Sequence, residues 1–120
     1  MNVEAVTLQC TDPEALAEFY VAGFDLPPPR IISADHIGLS FGDFYVGLEK
    51  VPIRPYGGGA MTLWIMVANA DETFEKLLQL GAEPLQAPDR ESSPGEVIGI
   101  VADPESNRIG IISRVASLGS

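Results

Sequence analysis

The chain has 120 residues and is 46% hydrophobic, enough for one domain with a real core. Its 17 acids against 7 bases leave a formal charge of −10, a surface that repels phosphate backbones and excludes nucleic acid as a partner. No apolar run reaches the roughly 18 residues of a membrane span, no basic-then-apolar leader opens the chain, and the single cysteine, Cys10, forms no internal disulfide, so a cytoplasmic protein with no membrane partner is expected.

Residues 2–10, NVEAVTLQC, alternate in the manner of a strand. Thr11-Asp12-Pro13-Glu14 reads as a helix start, with a capping side chain, a first-turn proline and an early acid against the macrodipole. The helix ALAEFYVA follows, with Leu16, Phe19 and Tyr20 on one face, and Gly23 is its expected stop. Leu26-Pro27-Pro28-Pro29 is a break. Strands are predicted at 30–34, 36–41 and 43–51, the last two forming a hairpin through Gly42-Asp43.

Residues 52–60 read as a linker of prolines and then glycines. Gly57-Gly58-Gly59 lacks the Lys-Ser or Lys-Thr that follows in a phosphate-binding loop. The plan then repeats. A strand is predicted at 61–67 and a helix at 71–80, with Phe74, Leu77 and Leu78 on one face and Gly81 as its stop. A short strand at 83–86, a polar loop at 87–94 and a hairpin of 96–102 with 108–114 complete the chain. The hairpin turn, Asp103-Pro104-Glu105-Ser106-Asn107, is rich in turn-forming residues.

The repetition reaches the residues. LAEFYVAG (16–23) parallels FEKLLQLG (74–81), Ile37-Gly38-Leu39 parallels Ile98-Gly99-Ile100, and Val46-Gly47-Leu48 parallels Ile109-Gly110-Ile111. Gly47 and Gly110 are therefore twins, each in the middle of a strand, where glycine packs nothing. The pattern predicts an α+β fold of two βαβββ modules, about 1–51 and 61–115, within one domain. Their strands would form a curved, mixed, mostly antiparallel eight-stranded sheet, with helices outside and a concave ligand groove inside.

VTLQCTDPEALAEFYVAGF (6–24), HIGLSFGDFYVGLEK (36–50), VANADETFEKLLQLGAEPL (67–85) and VADPESNRIGIIS (101–113) together resemble the vicinal oxygen chelate superfamily. Glyoxalases, bleomycin-resistance proteins and extradiol dioxygenases belong to it. Ser106-Asn107 stands where that family's turn usually has glycine. The resemblance implies homodimers and, in metal-dependent members, four ligand positions drawn from His, Gln and Glu. Laid on this chain, those positions fall at Ala5, Gly47, Thr62 and Gly110, none of them a conventional ligand. The expectation is no metal and no cofactor.

Alternation on each strand then predicts a groove lined by Ala5, Thr7, Gln9, Tyr45, Gly47, Glu49, Thr62, Trp64, Met66, Arg108, Gly110 and Ile112, with His36, Gly38 and Ser40 as additions. A one-residue slip would invert each set. The small residues at its centre leave a space expected to hold an organic ligand or water.

Each candidate has a structural alternative. Trp64 is a stacking wall or a core tryptophan, and Tyr45 is open in the same way. Glu49 is a general base, a counter-charge for a cationic ligand or a solvated strand end. Arg108 binds an anionic group, pairs with Glu49 or is a surface arginine. His36 is catalytic or structural. Cys10 has the apolar phase of its strand and reads as an inert core thiol. Ser40 and Thr7 have no visible activating base. The leading expectation is metal-free binding of a small organic ligand, cationic or aromatic. The alternatives are a glyoxalase- or dioxygenase-like lyase or isomerase using Glu49 or His36, and a dimerising accessory module without catalysis.

Overall fold

The computed structural model describes residues 1–53 and 61–115, so most of the expected linker at 52–60 lies outside the described residues. The chain divides into two compact units, Met1–Gly57 and Gly58–Ser120. The first holds β1 (Ala5–Cys10), α1 (Pro13–Phe24), β2 (Arg30–Ser33), β3 (His36–Phe41) and β4 (Phe44–Lys50). The second holds β5 (Leu63–Met66), α2 (Ala70–Gln79), β6 (Glu83–Asp89), β7 (Glu96–Ala102) and β8 (Arg108–Arg114). The eight predicted strands thus stand as two four-stranded sheets, in the orders β1-β4-β3-β2 and β5-β8-β7-β6. In each, the first strand runs parallel to the last and the other neighbours are antiparallel. A parallel pair needs a crossover, which α1 and α2 supply.

The Asp12 carboxylate caps α1 by accepting from the Ala15 N–H at 3.1 Å, and Pro13 follows in the first turn, where its missing N–H costs nothing. Gly23 does not end the helix. It is a buried residue of the last turn, and the left-handed stop falls on Asp25 at φ 51°. Aspartate adopts that conformation more readily than most side chains, which moves the stop two residues on. Leu16, Phe19 and Tyr20 bury against the sheet, and Tyr20, Phe24 and Phe41 form an aromatic cluster with ring centroids 5.7–6.3 Å apart. Each such side chain contributes on the order of 1.5–3 kcal/mol by leaving water.

In the second unit Asn69 caps α2, accepting from the Glu72 N–H at 3.1 Å. Phe74 and Leu77 are buried and Leu78 is half-buried, and Gly81 takes φ 107° just past the helix, as its position predicts. The polar segment expected to be a loop at 87–94 begins as strand instead, because β6 continues to Asp89. Its pairing with β7 is broken by two register shifts. Pro84 and Pro88 are tolerated because β6 is an edge strand, whose outer N–H positions need no ladder partner.

Candidate functional site

Cross-strand partners share a sheet face, so the register decides what each face carries. In the first unit Ala5 lies beside Tyr45, Thr7 beside Gly47 and Gln9 beside Glu49. Across β4, His36 lies beside Glu49, Gly38 beside Gly47 and Ser40 beside Tyr45. All nine occupy one face, with Ala5, Thr7 and Gln9 exposed. Ile37, Leu39, Val46 and Leu48 occupy the other, buried on the side where α1 packs. Cys10 shares that apolar phase, is fully buried, and reads as a core thiol. Arg30 joins the polar face because it pairs with Gly38. The sequence reading passed it over, although pairing 30–34 against 36–41 through their short turn would have placed it there.

Gly47 and Gly38 are seats for rings. A Cβ at Gly47 would stand 2.8 Å from His36 Cε1 and 3.0 Å from its Nε2, and one at Gly38 would stand 2.5 Å from the Tyr45 hydroxyl oxygen. Real side chains do not come so close, so only glycine lets the two rings lie on the backbone. The rings are near parallel, at 11° with centroids 6.0 Å apart, and His36 Nε2 and Tyr45 Oη are hydrogen-bonded at 2.6 Å. The other imidazole nitrogen, Nδ1, lies 4.0 Å from a Glu49 carboxylate oxygen.

The second unit repeats the device with another ring. Trp64 pairs with Gly110 and Met66 with Ile112. The six-membered ring of Trp64 covers Gly110, where a Cβ would stand 2.5 Å from Cδ2. Trp64 is no core residue, with 47% of its surface exposed, and Met66 beside it is 52% exposed. Arg108 precedes Gly110 on the same face and its Nε donates to Thr62 Oγ1 at 3.1 Å. Ile98 and Ile100 share this face through their pairing with Ile112 and Gly110, a lining that the sequence reading missed.

Two expectations are corrected here. The space over Gly47 and Gly110 is not open to a ligand or water, because His36 and Trp64 fill it. Gly99 is not the counterpart of Gly38. Ile100 pairs with Gly110 as Gly38 pairs with Gly47, and a Cβ at Gly99 would meet Phe74 of α2 on the opposite face.

The residues at the four family positions do not fit a metal. Ala5, Gly47 and Gly110 offer no donor, the lone hydroxyl of Thr62 already accepts from Arg108, and rings cover both glycines. Among the described residues no three His, Cys, Asp or Glu side chains converge as a metal site.

Residues 5–112 match the family model of the glyoxalase-like domain. No curated protein matches the sequence. The fold is similar to that of a glyoxalase-related enzyme from Fulvimarina pelagi, at 24% identity and a TM-score of 0.79 over 100% of this chain and 96% of that one. It is similar to a glyoxalase/bleomycin resistance protein/dioxygenase family enzyme from Burkholderia phytofirmans PsJN, at 19% identity and a TM-score of 0.82, covering 96% and 100%. A fosfomycin resistance protein from Mesorhizobium loti shares the fold at 13% identity and a TM-score of 0.75, covering 98% and 93%.

Proposed function

This chain belongs to the glyoxalase-like domain family, and we propose that it binds a small organic ligand, cationic or aromatic, by stacking and without a metal. The observation that carries the reading is Trp64, a half-exposed indole laid on the backbone of Gly110 with Met66 alongside. A ring held in that way is a preformed surface whose free side presents its π-face, and it loses little entropy when a flat ligand covers it. The net charge of −10 favours a cationic partner. Sequestration of a cationic aromatic compound, as in the bleomycin-resistance type, is the function that these features suit.

Emission from the single tryptophan tests it, titrated with planar aromatic cations and with neutral and anionic counterparts. Saturable quenching by the cations is expected. Trp64→Ala should weaken binding roughly tenfold by calorimetry, matching about 1–2 kcal/mol of stacking and cation–π contact. An indole blind to every planar compound would sink the reading.

A second reading, a lyase or isomerase with a non-standard site, is favoured by the His36–Tyr45 contact and its Glu49 neighbour. Turnover that disappears in Glu49→Gln would select it. Pairing as a homodimer belongs to the proposal through the family, and sedimentation of the purified chain checks it.

A further inference from the structure

The polar face of the first unit has a feature that stacking does not use. The His36 ring stands between a phenol and a carboxylate, with Nε2 2.6 Å from Tyr45 Oη and Nδ1 4.0 Å from Glu49 Oε1. A neutral imidazole holds one proton, and the hydrogen bonds available to its two nitrogens decide where. At 4.0 Å the Glu49 carboxylate is beyond hydrogen-bond reach, but its negative charge favours the proton on Nδ1. Nε2 is then an acceptor, and the Tyr45 hydroxyl must donate to it. A phenol has one O–H, so Tyr45 turns nothing but oxygen lone pairs outward. Glu49, its side chain 55% exposed, adds an acceptor-only group.

We propose that His36 sets the hydrogen-bond polarity of this face. With His36 neutral, Tyr45 and Glu49 together present only acceptors to a protonated organic amine, and protonation of His36 reverses Tyr45 and releases the amine. The reversal follows from proton counting. An imidazolium carries N–H at both nitrogens, so Nε2 must donate to Tyr45 Oη, and the phenolic proton turns outward as a donor. The ammonium then meets an O–H where it had met a lone pair, and a positive charge where it had met none.

The charged groups around the ring are few. β4 supplies Glu49 and the titratable Tyr45, while β1 brings uncharged Ala5, Thr7 and Gln9. β2, the strand next to that of His36, brings Arg30 beside Gly38, the glycine that seats the Tyr45 ring, and Asp35 precedes His36 in the turn. Lys50 alternates to the opposite face with Leu48. The Glu49 carboxylate lies 4.0 Å from Nδ1, whereas Arg30 is exposed and its charge is screened by salt.

The inference rests on the reading of these ring-bearing faces as ligand sites, but its readout is His36 and not Trp64. The chain has one histidine, so nitrogen NMR of the full chain shows one imidazole pair. The probe is benzylamine, with benzyl alcohol and benzoate as its neutral and anionic counterparts. At pH 7.5 the shifts should report the Nδ1–H form. Benzylammonium should move the His36 signals saturably and shift their titration to lower pH, because a ligand of the neutral form favours that form. The alcohol and the carboxylate should do neither. Tyr45→Phe, which keeps the ring over Gly38, and Glu49→Gln should each weaken amine binding at least tenfold. An Nε2–H form at neutral pH, preferential binding of benzoate, or His36 signals indifferent to benzylammonium overturns the proposal. If Trp64 still responds to planar ligands while His36 is indifferent, the wider reading stands and this one falls. If His36 responds and Trp64 does not, the amine site stands without the stacking reading.

Discussion

A glycine in a strand weakens it, and in this chain the weakness at Gly38, Gly47 and Gly110 is offset by the ring each one seats. The sharpest test is Gly110→Ala. Its methyl and the Trp64 ring cannot share one place, so the indole must swing outward. Overpacking costs about 1–3 kcal/mol, and replacing a mid-strand glycine by alanine returns about 0.5–1 kcal/mol. A net loss of about 1 kcal/mol is expected in denaturant titration, with tryptophan emission shifted to longer wavelength as the ring enters water. Ser106→Gly should act in the opposite direction. Ser106 holds φ 69°, a left-handed conformation that costs an L-residue about 1–2 kcal/mol, while glycine loses about 0.4–1 kcal/mol more entropy on folding. The melting temperature should therefore rise by a few degrees. Asp89 gives a pH signature. The Ser92 hydroxyl first, and the Glu91 N–H second, hold its carboxyl below the ordinary carboxylate range. A lowered carboxyl adds stability above its unfolded value and loses it as pH falls through the folded one. Melting curves of Asp89→Asn should thus show a small deficit at pH 7 that vanishes in strong acid.

At the scale of elements, the turn between β7 and β8 holds more than its residue types announce. Asp103 is 3% exposed, and its carboxylate accepts from the Glu105 N–H at 2.8 Å, the Asn107 N–H at 2.9 Å and the Asn107 amide at 2.9 Å. Asp103→Ala would strip partners from donors around a buried site, at about 1–3 kcal/mol for each group left unsatisfied. A loss of roughly 3 kcal/mol is expected in urea unfolding, well above the ~1 kcal/mol of a typical exposed cap such as Asp12. Most elements were legible beforehand because their signals are local. β7 and β8 fall at the predicted bounds, and Asp12 and Gly81 act as expected. Apart from the stop of α1, which the backbone of Asp25 sets locally, the misreadings arose where a distant partner decides. β6 runs past Gln86 because β7 offers it a ladder, and Gly38 was matched to Gly99 because a short Ile-Gly repeat hides which residue pairs with Gly110.

For the whole molecule, each unit carries one helix on one face of a four-stranded sheet and leaves the other face to small residues, rings and a few polar groups, joined in the second unit by Met66, Ile98, Ile100 and Ile112. No helix among the described residues is long and apolar enough to cross a membrane. The identities at Ala5, Gly47, Thr62 and Gly110 predict that a chelator leaves the melting temperature unchanged, and that zinc or nickel added in excess does not raise it. A specific ligand present at a hundred times its dissociation constant would add about 2.7 kcal/mol, so thermal scans with and without metal check this directly. The sequence by itself determined the order of the elements, the alternation that assigns residues to faces, and the lack of metal donors at the four family positions. These follow from side-chain chemistry and from periods of 2 and 3.6 residues, which neighbours along the chain reveal. Only the tertiary structure decided what stands over the glycines. His36 reaches Gly47, Tyr45 reaches Gly38 and Trp64 reaches Gly110 across strand pairs, through side-chain torsions and a register that no local pattern encodes. The same long-range pairing brings Tyr45 and Glu49 to the two nitrogens of one imidazole.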